Sequence, residues 1–134
     1  MNILLDTHIV LWYLNGDAKL SEKAKSYIDD WENNLYFSLA SLWEIEIKHI
    51  IHPDKMANSA SEILDLCKAA DFTLLPLNPE HIKLLHTLRR DEKSPPHNDP
   101  FDRILISQAK SEDMKFLTHD GLLKYYNEPC VIEV

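Results

Sequence analysis

The sequence predicts an α/β fold, a parallel sheet with helices packed on both of its faces. Two observations carry this prediction. Short apolar runs recur along the chain, each followed by a stretch with helical spacing. Helix-start signals stand where those stretches begin, including Asn78-Pro79 and Asp99-Pro100, a cap residue followed by proline at the first helical position. The 134 residues contain no repeat, low-complexity tract or linker, so residues 1–134 read as a single domain.

Taken in order, Asn2–Asp6 reads as a short buried strand running straight into a helix over Thr7–Leu14. Ser21 caps a helix rich in Lys, Glu and Ala that ends near Asn33–Asn34. Leu35–Ser38 is a second strand, and Ser41 opens a helix through Ile51 that His52-Pro53 stops. Ser59 and Glu62 form a capping-box pattern for a helix ending near Ala70. Phe72–Pro76 is a third strand, and a helix starts at Pro79. After the polar loop RRDEKSPPHN, a helix runs from Pro100 to about Asp113. Lys115–Thr118 is a fourth strand, Gly121–Tyr126 a short helix, and Cys130–Val134 the last strand.

Composition removes several function classes. No apolar run approaches the roughly 18 residues of a membrane span, and MNILLDTHIV lacks the basic start of a signal peptide. Cys67 and Cys130 have neither metal nor redox spacing and read as reduced thiols of a cytoplasmic protein. With only Gly16 and Gly121, no phosphate-cradling glycine loop exists, and P-loop or Rossmann chemistry fails. A net charge of −8 argues against non-specific nucleic-acid binding through a basic face. It does not exclude a nuclease, because divalent cations reverse the field locally.

Five acids stand out. Asp6 ends the first strand, at the sheet edge where α/β proteins bind ligands, although it would also serve as a helix cap. Glu44 falls at the edge of an apolar stripe made by Trp43, Ile47, Ile50 and Ile51, within reach of an i,i+4 pair with Lys48. Asp102 projects into the face defined by Phe101, Leu105, Ile106 and Ala109, where a carboxylate is expensive unless paired or bound to a metal. Asp99 reads as the cap of that helix, and Asp120 follows the fourth strand in FLTHD. Strand ends and first helical turns of a parallel sheet share one edge, so Asp6, Glu44, Asp102 and Asp120 are expected to converge. At about 5 Å and an effective dielectric near 20, each ionised pair repels by about 3 kcal/mol. Such a cluster raises its own pKa values or binds cations, and oxygen-only ligands favour Mg²⁺ or Mn²⁺ over Zn²⁺.

The segments LLDTHIVLWYL, SLASLWEIEIK, HNDPFDRILISQA and FLTHD resemble, in order and spacing, the successive motifs of PIN-domain ribonucleases. The likeness is greatest to the bacterial VapC-like toxin branch and extends over essentially the whole chain. The resemblance implies a three-layer α/β/α fold with a central, mostly parallel sheet. It implies an acidic pocket formed by Asp6, Glu44, Asp99, Asp102 and Asp120 that holds Mg²⁺ or Mn²⁺ and cleaves RNA. Hydroxide attack would leave a 5′-phosphate and a 3′-hydroxyl. Thr7 and Thr118 would orient neighbouring acids through their hydroxyls. His8, His97 and His119 flank pocket acids, whereas His49, His52, His81 and His86 are expected on solvated helix faces and ends.

Arg89, Arg90, Lys93 and Arg103 are the expected phosphate contacts, since the first three lead toward the DPFD segment. Leu42 and Ile45 lie opposite the Trp43–Ile51 stripe, and a helix apolar on two faces is buried twice or docked on another chain. With the resemblance, this implies a homodimer and a cognate antitoxin seated in a groove near the pocket. Two other readings use the same first strand. A phosphoacceptor receiver domain would need adjacent acids there, and a haloacid-dehalogenase-like phosphatase an Asp at position 8, where His8 stands.

Overall fold

The computed structural model describes residues 1–134. Its centre is strand β1 (Asn2–Leu5), whose Ile3, Leu4 and Leu5 are all fully buried, as a strand covered on both faces requires. Four parallel strands join it: β2 (Asn34–Ser38), β3 (Thr73–Leu75), β4 (Lys115–Thr118) and β5 (Val131–Glu133). The order across the sheet is β3-β2-β1-β4-β5. The chain therefore winds outward from β1 to β3, crosses back, and continues from β4 to β5. The order reverses between β1 and β4, the point where an open parallel sheet leaves a crevice at its carboxyl edge.

The strands alternate their side chains between two cores. Ile3 and Leu5 of β1 point into one, with residues of α1 (Thr7–Asn15), α2 (Glu22–Ile28), α3 (Leu39–Ile51) and α4 (Ala60–Ala69). Leu4 points into the other, with α6 (Pro100–Ser111) and the 3₁₀ turn Leu123–Tyr126. The short helix α5 (Pro79–Lys83) packs along α6. Helices on both faces of one sheet make the three-layer α/β/α arrangement that the sequence predicts. No helix is long and apolar enough to cross a membrane.

Several boundaries differ from the pattern for local reasons. α2 stops at Ile28 rather than near Asn33, because the Asn33 side-chain amide donates to the Tyr27 carbonyl and closes the helix end. α3 starts at Leu39, not Ser41, because the Ser38 hydroxyl caps it by accepting from the Ala40 amide at 3.0 Å. The Gly121–Tyr126 segment forms only the 3₁₀ turn Leu123–Tyr126. Gly16 ends α1 at φ 61°, the left-handed conformation that favours glycine.

The two faces of α3 are the reverse of the apolar count. Leu42 and Ile45 are buried, whereas Trp43, Ile50 and Ile51 are 61%, 71% and 62% exposed. Ala40 and Ser41 decide this. They add little to a hydrophobic pattern, yet their small size lets the helix lie close, and a 2.8 Å hydrogen bond between the Thr7 and Ser41 hydroxyls fixes that side against α1. α6 also departs from a simple stripe. Ile104 through Ala109 are all buried, with Ser107 donating to the His81 carbonyl and Gln108 bonded to Ser38 and to the Pro76 carbonyl. Phe101, expected in the core, is half-buried and meets the Trp43 ring edge-on at 5.3 Å.

His81 is a further correction. It is fully buried rather than solvated. Its Nδ1 accepts from the Asn78 amide at 3.2 Å and its Nε2 donates to Glu112 at 2.8 Å, so the ring completes the α5 capping box and ties α5 to α6.

Candidate metal centre at the carboxyl edge of the sheet

Asp6 leaves β1 beside β4, its amide bonded to the Leu117 carbonyl at 3.0 Å. The residue is only 5% exposed. One carboxylate oxygen accepts from the Thr7 amide and the other from the Thr118 hydroxyl, each at 2.7 Å. Thr118 in turn accepts from the Asp120 amide at 3.0 Å, which links the two acids at the ends of β1 and β4. Asp120 caps the following turn through the Leu122 amide at 2.9 Å. The Thr7 hydroxyl is turned to Ser41 and touches no acid; its backbone amide, rather than the expected hydroxyl, holds Asp6.

Glu44 projects from the second turn of α3 into the same crevice, buried and paired with Lys48 at 3.2 Å. From the opposite face, Asp99 caps α6 by accepting from the Phe101 and Asp102 amides at 2.8 and 3.4 Å. Asp102, one turn in, has a side chain only 17% exposed and a hydrogen bond to His97 Nε2 at 3.0 Å. All five acids line one cleft of about 340 Å³, together with Thr7, His8, Trp12, Lys48 and His119.

The electrostatics follow from this crowding. Burial, and then the charges of Asp6, Asp99, Asp120 and Glu44, push the Asp102 carboxyl up to about 8. Burial also raises Asp6, against the lowering effect of its two hydrogen bonds and of His8. Together with the other three acids, Asp6 and Asp102 form a set of hard oxygen donors suited to a divalent cation. His97, Asp102 and Asp120 place ligand atoms within 4.8 Å of one another. The imidazole is already engaged: Nδ1 is hydrogen-bonded to the Tyr126 hydroxyl at 2.8 Å and Nε2 to Asp102 at 3.0 Å. The donor set facing the cleft is therefore carboxylate oxygen, which fits Mg²⁺ or Mn²⁺.

The basic residues are distributed differently from the expectation. Arg103 is held by the Tyr126 hydroxyl and the Leu85 carbonyl at 3.4 and 3.2 Å, and Arg90 by Pro95 and Ser94. Both guanidinium groups lie over the Tyr126 ring. Arg89 and Lys93 are exposed outside the cleft lining. The cation inside the cleft is Lys48, which the sequence offers only as the partner of Glu44. The Tyr126–His97–Asp102 chain is hidden in the sequence because its links span 29 and 5 residues; the one local signal is a histidine shortly before DPFD.

A doubly wound sheet with carboxylates gathered at its switch point defines an α/β protein with a cluster of hard oxygen donors at an open edge. The sequence matches the PIN-domain family over residues 3–128, and the chain belongs to that family, a family of nucleases. Membership removes the receiver and phosphatase readings. Among solved structures, the chain is similar to VapBC2 from Rickettsia felis bound to a promoter DNA fragment, at 17% identity and a TM-score of 0.68. That match covers 100% of this chain and 98% of the other. It is also similar to a toxin-antitoxin complex from Klebsiella pneumoniae, at 18% identity and a TM-score of 0.61, covering 98% and 99% of the two chains. FitAcB from Neisseria gonorrhoeae gives 19% identity and 0.61, covering 98% and 96%. At these identities the likeness speaks for the fold. A search of curated proteins gives no match.

Proposed function

We propose that the chain is a Mg²⁺- or Mn²⁺-dependent endoribonuclease, the toxin of a toxin–antitoxin pair acting in the cytoplasm. The observation that carries this reading is the cleft in which Asp6, Glu44, Asp99, Asp102 and Asp120 meet, with Asp102 kept protonated up to about pH 8 by burial and its neighbours. Asp6, Glu44, Asp102 and Asp120 would hold the cation. Asp99 is the outer member, since it is the one exposed acid of the five. When bound, the cation neutralises this cluster and supplies charge stabilisation and an activated water for phosphodiester hydrolysis.

The chain's own residues supply the frame. Thr118 and the Thr7 amide orient Asp6, and His97, braced by Tyr126, orients Asp102. Lys48 at the cleft wall would meet a substrate phosphate, with the exposed Arg89 and Lys93 as outer contacts. For partners, the exposed α3 face supports a homodimer and an antitoxin. Beside it, Trp43, Ile82, Leu85, Phe101 and Ile104 line an apolar recess of about 210 Å³. Pro100 and Phe101 of that recess adjoin Asp99 and Asp102, so a peptide lying there would reach the acidic cleft.

Cleavage of a mixed RNA pool should require Mg²⁺ or Mn²⁺ and stop in EDTA. Asp6→Asn and Asp102→Asn should each cost several orders of magnitude while the fold is kept, and the double variant far less than their sum. Undiminished cleavage in EDTA, or both variants within about threefold of the parent, would overturn the reading.

A further inference from the structure

The acidic cleft has one apolar wall, Trp12, whose ring is flanked by two imidazoles. His8 lies against it at 5.7 Å with a 39° tilt, and His119 meets it edge-on at 5.3 Å and 73°. All three rings line the cleft beside Asp6 and Asp120. His8 and His119 are exposed and Trp12 is half-buried, packed at its base against the α1 side of the core. The His119 ring is held in place, because its Nδ1 donates to the Val134 carbonyl at 2.6 Å. Trp12 is thus anchored to the core while its half-exposed ring lines the cleft, and none of the hydrogen bonds at the pocket involves its ring nitrogen.

We propose that Trp12, with His8 and His119, is a stacking subsite for one unpaired nucleobase next to the scissile phosphate. This rests on the ribonuclease reading of the cleft. Every base offers a π face, and stacking on aromatic rings tolerates sequence while requiring a single-stranded, splayed nucleotide. The subsite also answers how an acidic protein retains RNA. Part of the binding comes from an uncharged surface rather than from a basic face. His8 and Trp12 stand on the first two turns of α1, which Asp6 caps, and His119 sits between β4 and Asp120, so base and phosphate would be positioned by one edge of the fold.

The test has two arms. The first uses a short methylphosphonate-linked oligonucleotide, uncharged and uncleaved, in EDTA. It should quench tryptophan fluorescence saturably in the parent, whereas the same backbone without bases should not. Trp12→Leu, which keeps apolar volume without the ring, should lose the response. An equal response in Trp12→Leu, or none in the parent, overturns the subsite. The second arm measures RNA cleavage with Mg²⁺ or Mn²⁺ on substrates carrying one abasic nucleotide at successive positions. An abasic position beside the cut should raise KM about ten- to a hundredfold in the parent and in Trp12→Phe, and have little further effect in Trp12→Leu. A parent indifferent to every abasic position overturns the subsite while leaving the nuclease intact. Base-dependent quenching in a protein that cuts no RNA keeps the subsite and removes the nuclease reading.

Discussion

At the scale of single residues, Asp102 carries the strongest measurable signature. The folded chain keeps its proton up to about pH 8, whereas an unfolded Asp releases it near 3.8. Folding is thus favoured below the lower value, and that contribution is lost as pH rises through the window. The melting temperature of metal-free protein should fall between about pH 5 and pH 8, and Asp102→Asn should flatten that decline and raise stability at the upper end. A parent and variant with superimposable pH profiles would show that the carboxyl is not crowded. That Asp102 belongs to a cluster was legible from the sequence, because a carboxylate on a core face is too costly to stand there without a partner or a cation. The neighbours of the acids were less so. Thr118 could be found from its place beside Asp120 and Lys48 from its i,i+4 spacing to Glu44, but Tyr126 acts through a contact that no spacing rule reveals.

At the scale of elements, strands and caps were readable because their signals are local: apolar runs, and Ser, Asn or Asp before a helix. The orientation of α3 was not. Four large apolar residues outweigh Leu42 and Ile45 in any count, yet Ala40, Ser41 and the hydrogen bond to Thr7 turn the smaller face inward. This leaves Trp43, Ile50 and Ile51 in solvent, and makes a prediction separable from folding. Ile50→Lys should change stability by no more than about 0.5 kcal/mol, while weakening self-association or antitoxin binding about tenfold or more. Light scattering and a titration with the proposed antitoxin would measure it; unchanged assembly would assign the face no partner. Gln108 offers the opposite case. Its buried amide joins Ser38 at the β2–α3 junction to the Pro76 carbonyl, so Gln108→Leu should cost about 1–3 kcal/mol by stranding both partners, read from denaturant unfolding. The same stability in parent and variant would mean that water takes over both bonds.

At the scale of the whole molecule, the sheet order was beyond the sequence. Alternating strands and helices demand a parallel sheet, but only the packed structure shows that β4 returns to the flank of β1. A cation that binds at this junction should stabilise the parent by mass action, about 2.7 kcal/mol at a hundred times its Kd. The Asp6→Asn and Asp102→Asn variants should gain less, and equal gains across all three would place the ion elsewhere. The junction also sets when the cleft can first exist during synthesis. Asp6 and its partner Thr118 are 112 residues apart. At about 5–20 residues per second, a ribosome needs on the order of 6–22 s between polymerising the first and the second. Throughout that interval the nascent chain has a β1 edge with no β4 beside it, and so no assembled cleft. Translation itself thus delays assembly of the cleft until β4 has been made.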